Sequence, residues 1–161
     1  MMQEFVQAIE DTVSSILNEI HTSMPGSIQF YDEKTGFVDV KPIGVYKAGN
    51  GELYDYPIIS NVPLHVTGSS GINIATPIRK GDECLLIFAE QSLDTWLSGN
   101  PEDDTDLRFD LSNAIAIPGL TKVAVTAQNE ANKRGCVVVT GNLYVDGNIT
   151  CSGRIERTEN E

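Results

Sequence analysis

The chain has 161 residues, a length suited to one principal domain with short appendages. Hydrophobic residues make up 40% of it, enough for a real core. Its formal net charge of −12 argues against nucleic acid or an anionic membrane as partner, because both select surfaces rich in Lys and Arg.

The opening sequence MMQEFVQAIED has neither a basic region nor a continuous apolar run. No signal peptide is therefore expected, and synthesis in the cytoplasm follows. No stretch approaches the roughly 20 apolar residues of a membrane span. Cys84, Cys136 and Cys151 are odd in number and have no metal-site spacing. Cys84 lies in an apolar run and Cys151 in a strand-like repeat, so both are expected as small core residues.

Residues 1–23 predict an amphipathic helix. Phe5, Val6, Ile9, Val13, Ile16, Leu17 and Ile20 recur at spacings of three and four. Val6, Val13 and Ile20 share one heptad position, and Ile9 and Ile16 share the other. Two readings stand: the stripe covers its own domain, or it is an interface to sister chains or to another protein. Met24, Pro25 and Gly26 should end the helix.

Residues 24–119 read as short strands between turns. Residues 27–31 and 37–41 flank an Asp-Glu-Lys-Thr-Gly turn, which predicts a hairpin. Further strands are expected at 54–59, 62–66, 72–76 and 83–89. The run Leu85, Leu86, Ile87, Phe88 is apolar on both faces, as a central strand would be. Ser92 should cap a short helix around Trp96, and 114–117 should return as a strand. Five or six short strands with one small helix predict an OB-type Greek-key barrel, with a β-sandwich as the competing arrangement. Residues 120–134 read as a connector, with a strand at 123–125 and a polar loop at 128–134.

Residues 135–155 carry a repeat. Gly135, Gly141, Gly147 and Gly153 are spaced by six. The first and third positions of each hexad are apolar: Val137 and Val139, Leu143 and Val145, Ile149 and Cys151. Gly141 with Asn142, Gly147 with Asn148, and Gly153 supply turns. A strict period with one turn per repeat predicts a β-solenoid. Three hexads cannot bury a core alone, so the expectation is a trimeric β-helix with the six apolar residues on its axis; docking on the chain's own barrel is the alternative. Residues 156–161 form a charged tail.

This combination resembles the contractile-phage baseplate spike proteins, including the Mu-type spike and relatives carrying the phage spike OB domain. The matching stretches are residues 21–26, residues 80–96 (KGDECLLIFAEQSLDTW) and residues 108–119 (RFDLSNAIAIPG). The resemblance implies a mainly β chain with an N-terminal helix, an OB-fold barrel and a short C-terminal β-helix. It further implies a homotrimer in the virion or a tail-like particle, seated on tail hub and baseplate proteins and leading penetration of the host cell envelope. Many of these spikes end in a His-x-His apex that binds iron. Here the two histidines, His21 and His65, lie far from the C-terminal repeat, so no iron apex is expected. The short, charged end leaves room for a separate tip protein.

No catalytic residue, metal site or cofactor is assigned. The Gly-Ser-Ser-Gly at 68–71 lacks the Gly-Lys-Ser/Thr of a phosphate loop. Asp103, Asp104 and Asp106 lack the Gly and distal Glu of a calcium loop. Asp32, Glu33, Asp82 and Glu83 sit at turns, and His65 is expected on the surface or half-buried. Trp96, Leu93 and Leu97 are expected to plug the barrel. Two alternatives to a spike are a hexapeptide-repeat acyltransferase, which needs many coils and a histidine base, and a non-phage OB-fold assembly module.

Overall fold

The computed structural model describes residues 2–49, 51–69 and 71–156, in two compact units, Met1–Leu120 and Thr121–Glu161. Residues 157–161, most of the expected charged tail, lie outside the described residues.

In the first unit, α1 runs over Met2–Glu19. It contains neither Gly nor Pro, and Gln7 Nε2 donates to Asp11 Oδ1 one turn on at 2.9 Å. It ends before the expected stop: Ile20 lies one residue beyond the helix, and Met24, Pro25 and Gly26 are already strand.

Among the described residues, nine strands follow the helix: β1 Ser23–Tyr31, β2 Phe37–Pro42, β3 Val45–Lys47, β4 Leu53–Asp55, β5 Ile59–Pro63, β6 Thr67–Ser69, β7 Ile72–Ile74, β8 Glu83–Phe88 and β9 Ala114–Pro118. Between β8 and β9 lies α2, Asp94–Ser98, followed by a 3₁₀ turn at Pro101–Asp103. Five strands make one antiparallel sheet in the order β5-β2-β1-β8-β9; β3-β4 and β6-β7 are separate hairpins. The sheet curls until its edges meet. Leu64 forms a parallel bridge to Ala116, and His65 N–H donates to the Ala116 carbonyl at 2.8 Å. Two register shifts drive the curl, one in β1–β2 between Ile28 and Phe30, the other in β2–β5 between Val38 and Val40. At the second, Asn61 takes φ 58° and its N–H donates to Asp39 Oδ1 at 3.1 Å.

The central strands bury alternate residues, as half-buried strands do. Val38, Val40 and Pro42 of β2 point inward, and so do Cys84, Leu86 and Phe88 of β8. With Ile28, Ile59, Val62, Ala114 and Ala116 they form the core. Pro25 sits in a central strand, usually a poor place for proline. Its carbonyl faces β2, accepting from Ile43 N–H at 2.8 Å, so its nitrogen faces the same side, where the β1–β2 ladder begins only at Gly26. The bonds to β8 are untouched. The Asp32-to-Gly36 turn closes the expected hairpin: Lys34 N–H donates to Asp32 Oδ1 at 2.9 Å, and Gly36 takes φ 76°.

Three expectations in this unit are corrected. Strand 54–59 is split, with β4 ending at Asp55 and β5 starting at Ile59. Trp96 does not plug the barrel: it is 67% exposed, because α2 buries none of its residues. The Ser92 hydroxyl does accept from Asp94 N–H at 3.1 Å, yet the residue at the cap position itself is Leu93.

In the second unit, residues 126–134 form a helix, α3 (Thr126–Arg134), where a polar loop was expected, and residues 123–125 form no strand. Glu130 pairs with Lys133 at 2.9 Å and Arg134 at 3.2 Å, and Gly135 ends the helix in the left-handed region at φ 63°. Gly135 is therefore a helix cap as well as the first glycine of the repeat. In the single chain the hexads of 135–155 form no strand ladder. Three strand-and-turn units have no partner edges of their own to pair with.

One buried polar side chain organises the end of the first unit. Asn113, 3% exposed, is the buried polar residue among the described ones. Its Oδ1 accepts from Leu93 N–H at 2.8 Å, and its Nδ2 donates to the carbonyls of Ala89 at 3.0 Å and Gln91 at 2.7 Å. Asn113→Ala removes three hydrogen bonds to part-buried backbone groups, of which only the Ala89 carbonyl keeps a second partner, Phe109 N–H. We expect a loss of roughly 2–3 kcal/mol in urea unfolding with the m-value unchanged.

Candidate functional site

Among the described residues, no group of three or more His, Cys, Asp or Glu side chains converges as metal ligands would. No described helix is long and apolar enough to cross a membrane. A groove of about 580 Å³ runs beside the β6-β7 hairpin, lined by Leu64, Val66, Ile74, Ile78 and Ile117, with Glu33 and His65 among its polar residues. His65 is exposed. The candidate site is instead apolar surface that the chain leaves uncovered.

The first such surface is α1. Its expected stripe does not cover its own barrel: Val6, Ile9 and Val13 are each 48% exposed and Ile16 55%, with Phe5 and Leu17 more open still. Ile20, also exposed, stands just past the helix end. The helix joins the barrel through a short connection. His21 N–H donates to the Phe109 carbonyl at 2.8 Å, and Phe88 N–H donates to the Thr22 carbonyl at 3.0 Å. The His21 ring packs edge-on to Tyr56 at 5.8 Å and tilted against Phe88 at 5.6 Å. Tyr46 continues this aromatic row, 5.3 Å from Tyr56 and 5.9 Å from Tyr54. Phe109 holds φ 51°, a strained setting for an aromatic residue, and is fixed by the His21 bond and by its own N–H to Ala89 O at 2.9 Å.

The second surface is the two small hairpins. Val45, Tyr46, Leu53 and Tyr54 of β3-β4, and Ile72 and Ile74 of β6-β7, stand in solvent. Lys41 Nζ, 3.1 Å from Asp55 Oδ2, ties β4 to the barrel. Sequence reasoning missed β3 and β6. Each has three residues, too few for alternation to register.

The third surface is the hexad segment. Val137, Val139, Leu143, Val145 and Ile149 are all exposed in the single chain, as is Cys151, whose Sγ donates to the Gly153 carbonyl at 3.1 Å. The expectation that Cys151 is a core residue therefore does not hold within one chain. Gly141 and Gly147 take the expected positive φ, at 117° and 140°, beside exposed Asn142 and Asn148; Gly153 does not. Cys84, by contrast, is fully buried, and burial pushes its thiol up to about 11.

A family model described as the phage protein Gp138 N-terminal domain matches residues 24–119. That span exceeds half of the chain, so the chain belongs to this family of phage proteins, which supports a structural role in the phage particle. The match begins within β1 and ends just after β9; α1 and the hexads lie outside it. The membership is to a phage family in general and carries no assignment to a Mu-type spike. No curated protein matches the chain.

The loop that receives His21 is braced by Asp110. Its Oδ1 accepts from the Ser112 N–H at 2.8 Å and from the Ser112 hydroxyl at 2.5 Å. Those two bonds, the hydroxyl first, hold the Asp110 carboxyl below the usual carboxylate range. A depressed carboxyl contributes stability above its unfolded pKa, and that contribution is lost as pH falls through the folded value. Asp110→Asn should therefore be less stable than wild type near pH 6, by at most about 1 kcal/mol because the group is largely solvated. Urea melts across pH should show the gap closing once the wild-type carboxyl protonates. A gap that persists unchanged at pH 2 would contradict the assignment.

Proposed function

We propose that the chain is the homotrimeric central spike at the tip of a contractile phage tail or tail-like particle, a mechanical part and not an enzyme. The barrel caps the tube on a three-fold hub, and the hexads of three chains wind into a short β-helical tip that leads penetration of the host envelope. The observation that carries this reading is the in-phase hexad repeat, whose apolar positions find no cover in their own chain, joined to a domain of a phage protein family. The order β5-β2-β1-β8-β9 with the parallel Leu64–Ala116 bridge supports a five-stranded Greek-key barrel of OB type. A prism of three chains gives the hexads what one chain lacks: partner edges for every strand and a dry axis for Val137, Val139, Leu143, Val145, Ile149 and Cys151. Gly141 and Gly147 already hold the positive φ that tight corners require. Load applied along such a tip is shared by interchain hydrogen bonds.

Light scattering on the purified protein should give the mass of three chains. Val145→Asp places three carboxylates on the axis, where an unpaired buried charge costs several kcal/mol, about 3–5 for a broken buried pair. Burial and mutual repulsion raise the carboxyl pKa in the assembled tip, so the damage is greatest above that value and eases as protonation removes the charge. The variant should melt lower than wild type, more so at pH 8 than at pH 4. Tyr144→Asp, one residue away on the opposite face, should be mild. In the trimer, Cys136 should react with a thiol reagent while Cys84 and Cys151 are protected. A monomeric wild type, or equal tolerance of both aspartates, would remove the basis for the tip.

A further inference from the structure

We propose that α1 zips with α1 of two further copies into a parallel three-stranded coiled coil. This rests on the trimer just proposed and concerns a segment outside the family domain.

The heptad register is strict along the helix. Val6 and Val13 fall at position a, with Ile20 following at the next a just past the helix end; Met2, Ile9 and Ile16 fall at d. Spacings alternate between three and four without interruption, the 3.5-residue period that keeps one seam facing its partners. Polar or small residues fill the outer b, c and f positions: Glu4, Gln7, Ala8, Asp11, Ser14 and Ser15. The number of strands is also written in the seam. Val or Ile at a with Leu at d favours pairs, whereas Ile in place of Leu at d shifts the preference to three or four strands. Here d carries Ile9 and Ile16, and a carries Val6 and Val13. The stripe is widened by Phe5 at g and Leu17 at e, both open to solvent in the single chain. A helix with two neighbours buries a wider arc than a helix with one, so three strands use this extra apolar surface.

Symmetry and linkage set the orientation. Only residues 20–22 separate α1 from β1, and His21 and Thr22 are bonded to the barrel. Three barrels related by a three-fold axis therefore present three helices pointing the same way along that axis. A seam of about two and a half heptads is marginal by itself; held beside its copies by the barrels it forms at high effective concentration. Charge does not oppose this strongly. α1 has no Lys or Arg, and Glu4 and Asp11 sit at the outermost f position; only Glu10 at e and Glu19 at g flank the seam.

In a parallel coil, Phe5 at g meets Glu10 at e of the neighbouring helix. Replacing Phe5 by p-benzoyl-phenylalanine, a near-isosteric photo-cross-linker, in the full chain tests this contact. Illumination of the purified protein should give covalent dimers and trimers, with the link mapped by mass spectrometry to α1 of another copy around Glu10. The same group at Gln7, on the outer face, should give at least ten-fold less. Ile9→Asn with Ile16→Asn in the Phe5-labelled chain should reduce the yield at least ten-fold while light scattering still reports three chains. A trimer whose link falls on a barrel, within one chain, or nowhere overturns the coiled coil and leaves the trimer standing. A monomer by light scattering overturns the trimer itself, and the coiled coil with it.

Discussion

The first unit depends on one stretch of backbone, β1 at Gly26 and Ser27, which is paired on both edges at once. Gly26 lies opposite Pro42 of β2 and Cys84 of β8, and Ser27 opposite Lys41 and Glu83. The core can close directly over that stretch because residue 26 has no side chain. A Cβ on Gly26 would stand 2.6 Å from Val40 Cγ1 and 3.1 Å from Leu86 Cδ1, two of the most buried groups in the core. The same two side chains thus close over the glycine and seal the interior of the curl. Strands on either side follow: β5 through β2, β9 through β8, and the Leu64–Ala116 bridge where the edges meet. The turn before β8 is pinned to β1 as well, by Ile28 N–H to Asp82 O at 2.9 Å and Gly81 N–H to Ile28 O at 2.7 Å.

A core gathered around one strand is small, and the chain carries more apolar surface than that core can hold. The buried set is confined to β1, β2, β5, β8, β9 and their neighbours. Every apolar residue of α1, and the apolar first and third positions of the hexads, are left in solvent. Isolated exposed apolar side chains are ordinary on a protein surface, but ordered stripes and repeats are not. One stripe has a period of 3.5 and the other repeat a period of six, each matched to a different kind of multi-chain packing. The middle of the chain is therefore complete as a fold, while both flanks leave ordered apolar faces uncovered.

That division explains what could be read from the residues. The 27–31 and 37–41 hairpin, the central position of β8 and the buried Cys84 were legible, because alternation and turn residues are local and the core face is continuous. α3 was not read, since residues 126–134 carry no apolar stripe; the signal present was Glu130 set against Lys133 and Arg134 with Gly135 behind them. Met24, Pro25 and Gly26 read as a break, and only the pairing partners show that a proline whose nitrogen faces away from β8 can lie in a strand. Trp96 was misplaced because size and hydrophobicity predict burial on average, whereas α2 is held by its backbone bonds to Asn113 and Ser92 and buries nothing. The helix register was legible; that no part of its own domain covers it required coordinates.

The charge of the chain bears on how such flanks can work. Three copies would triple a net charge of −12, and like charges repel over a Debye length of roughly 8 Å at physiological salt. Apolar contact acts only where surfaces touch, so the two forces operate at different ranges. Repulsion keeps exposed Val, Ile and Leu from adhering at random, because a poor encounter gains little contact and feels the full charge. A register-matched encounter along a heptad seam or a stack of hexads buries many side chains together and overcomes it. Of the acidic residues of α1, Glu4 and Asp11 lie opposite the apolar stripe, where they penalise misaligned approach, while Glu10 and Glu19 flank the seam and leave its a and d positions uncharged. In the proposed trimer, uncovered apolar faces would thus be selective for the copies that complete them, because only a matched register gains enough contact to offset the charge.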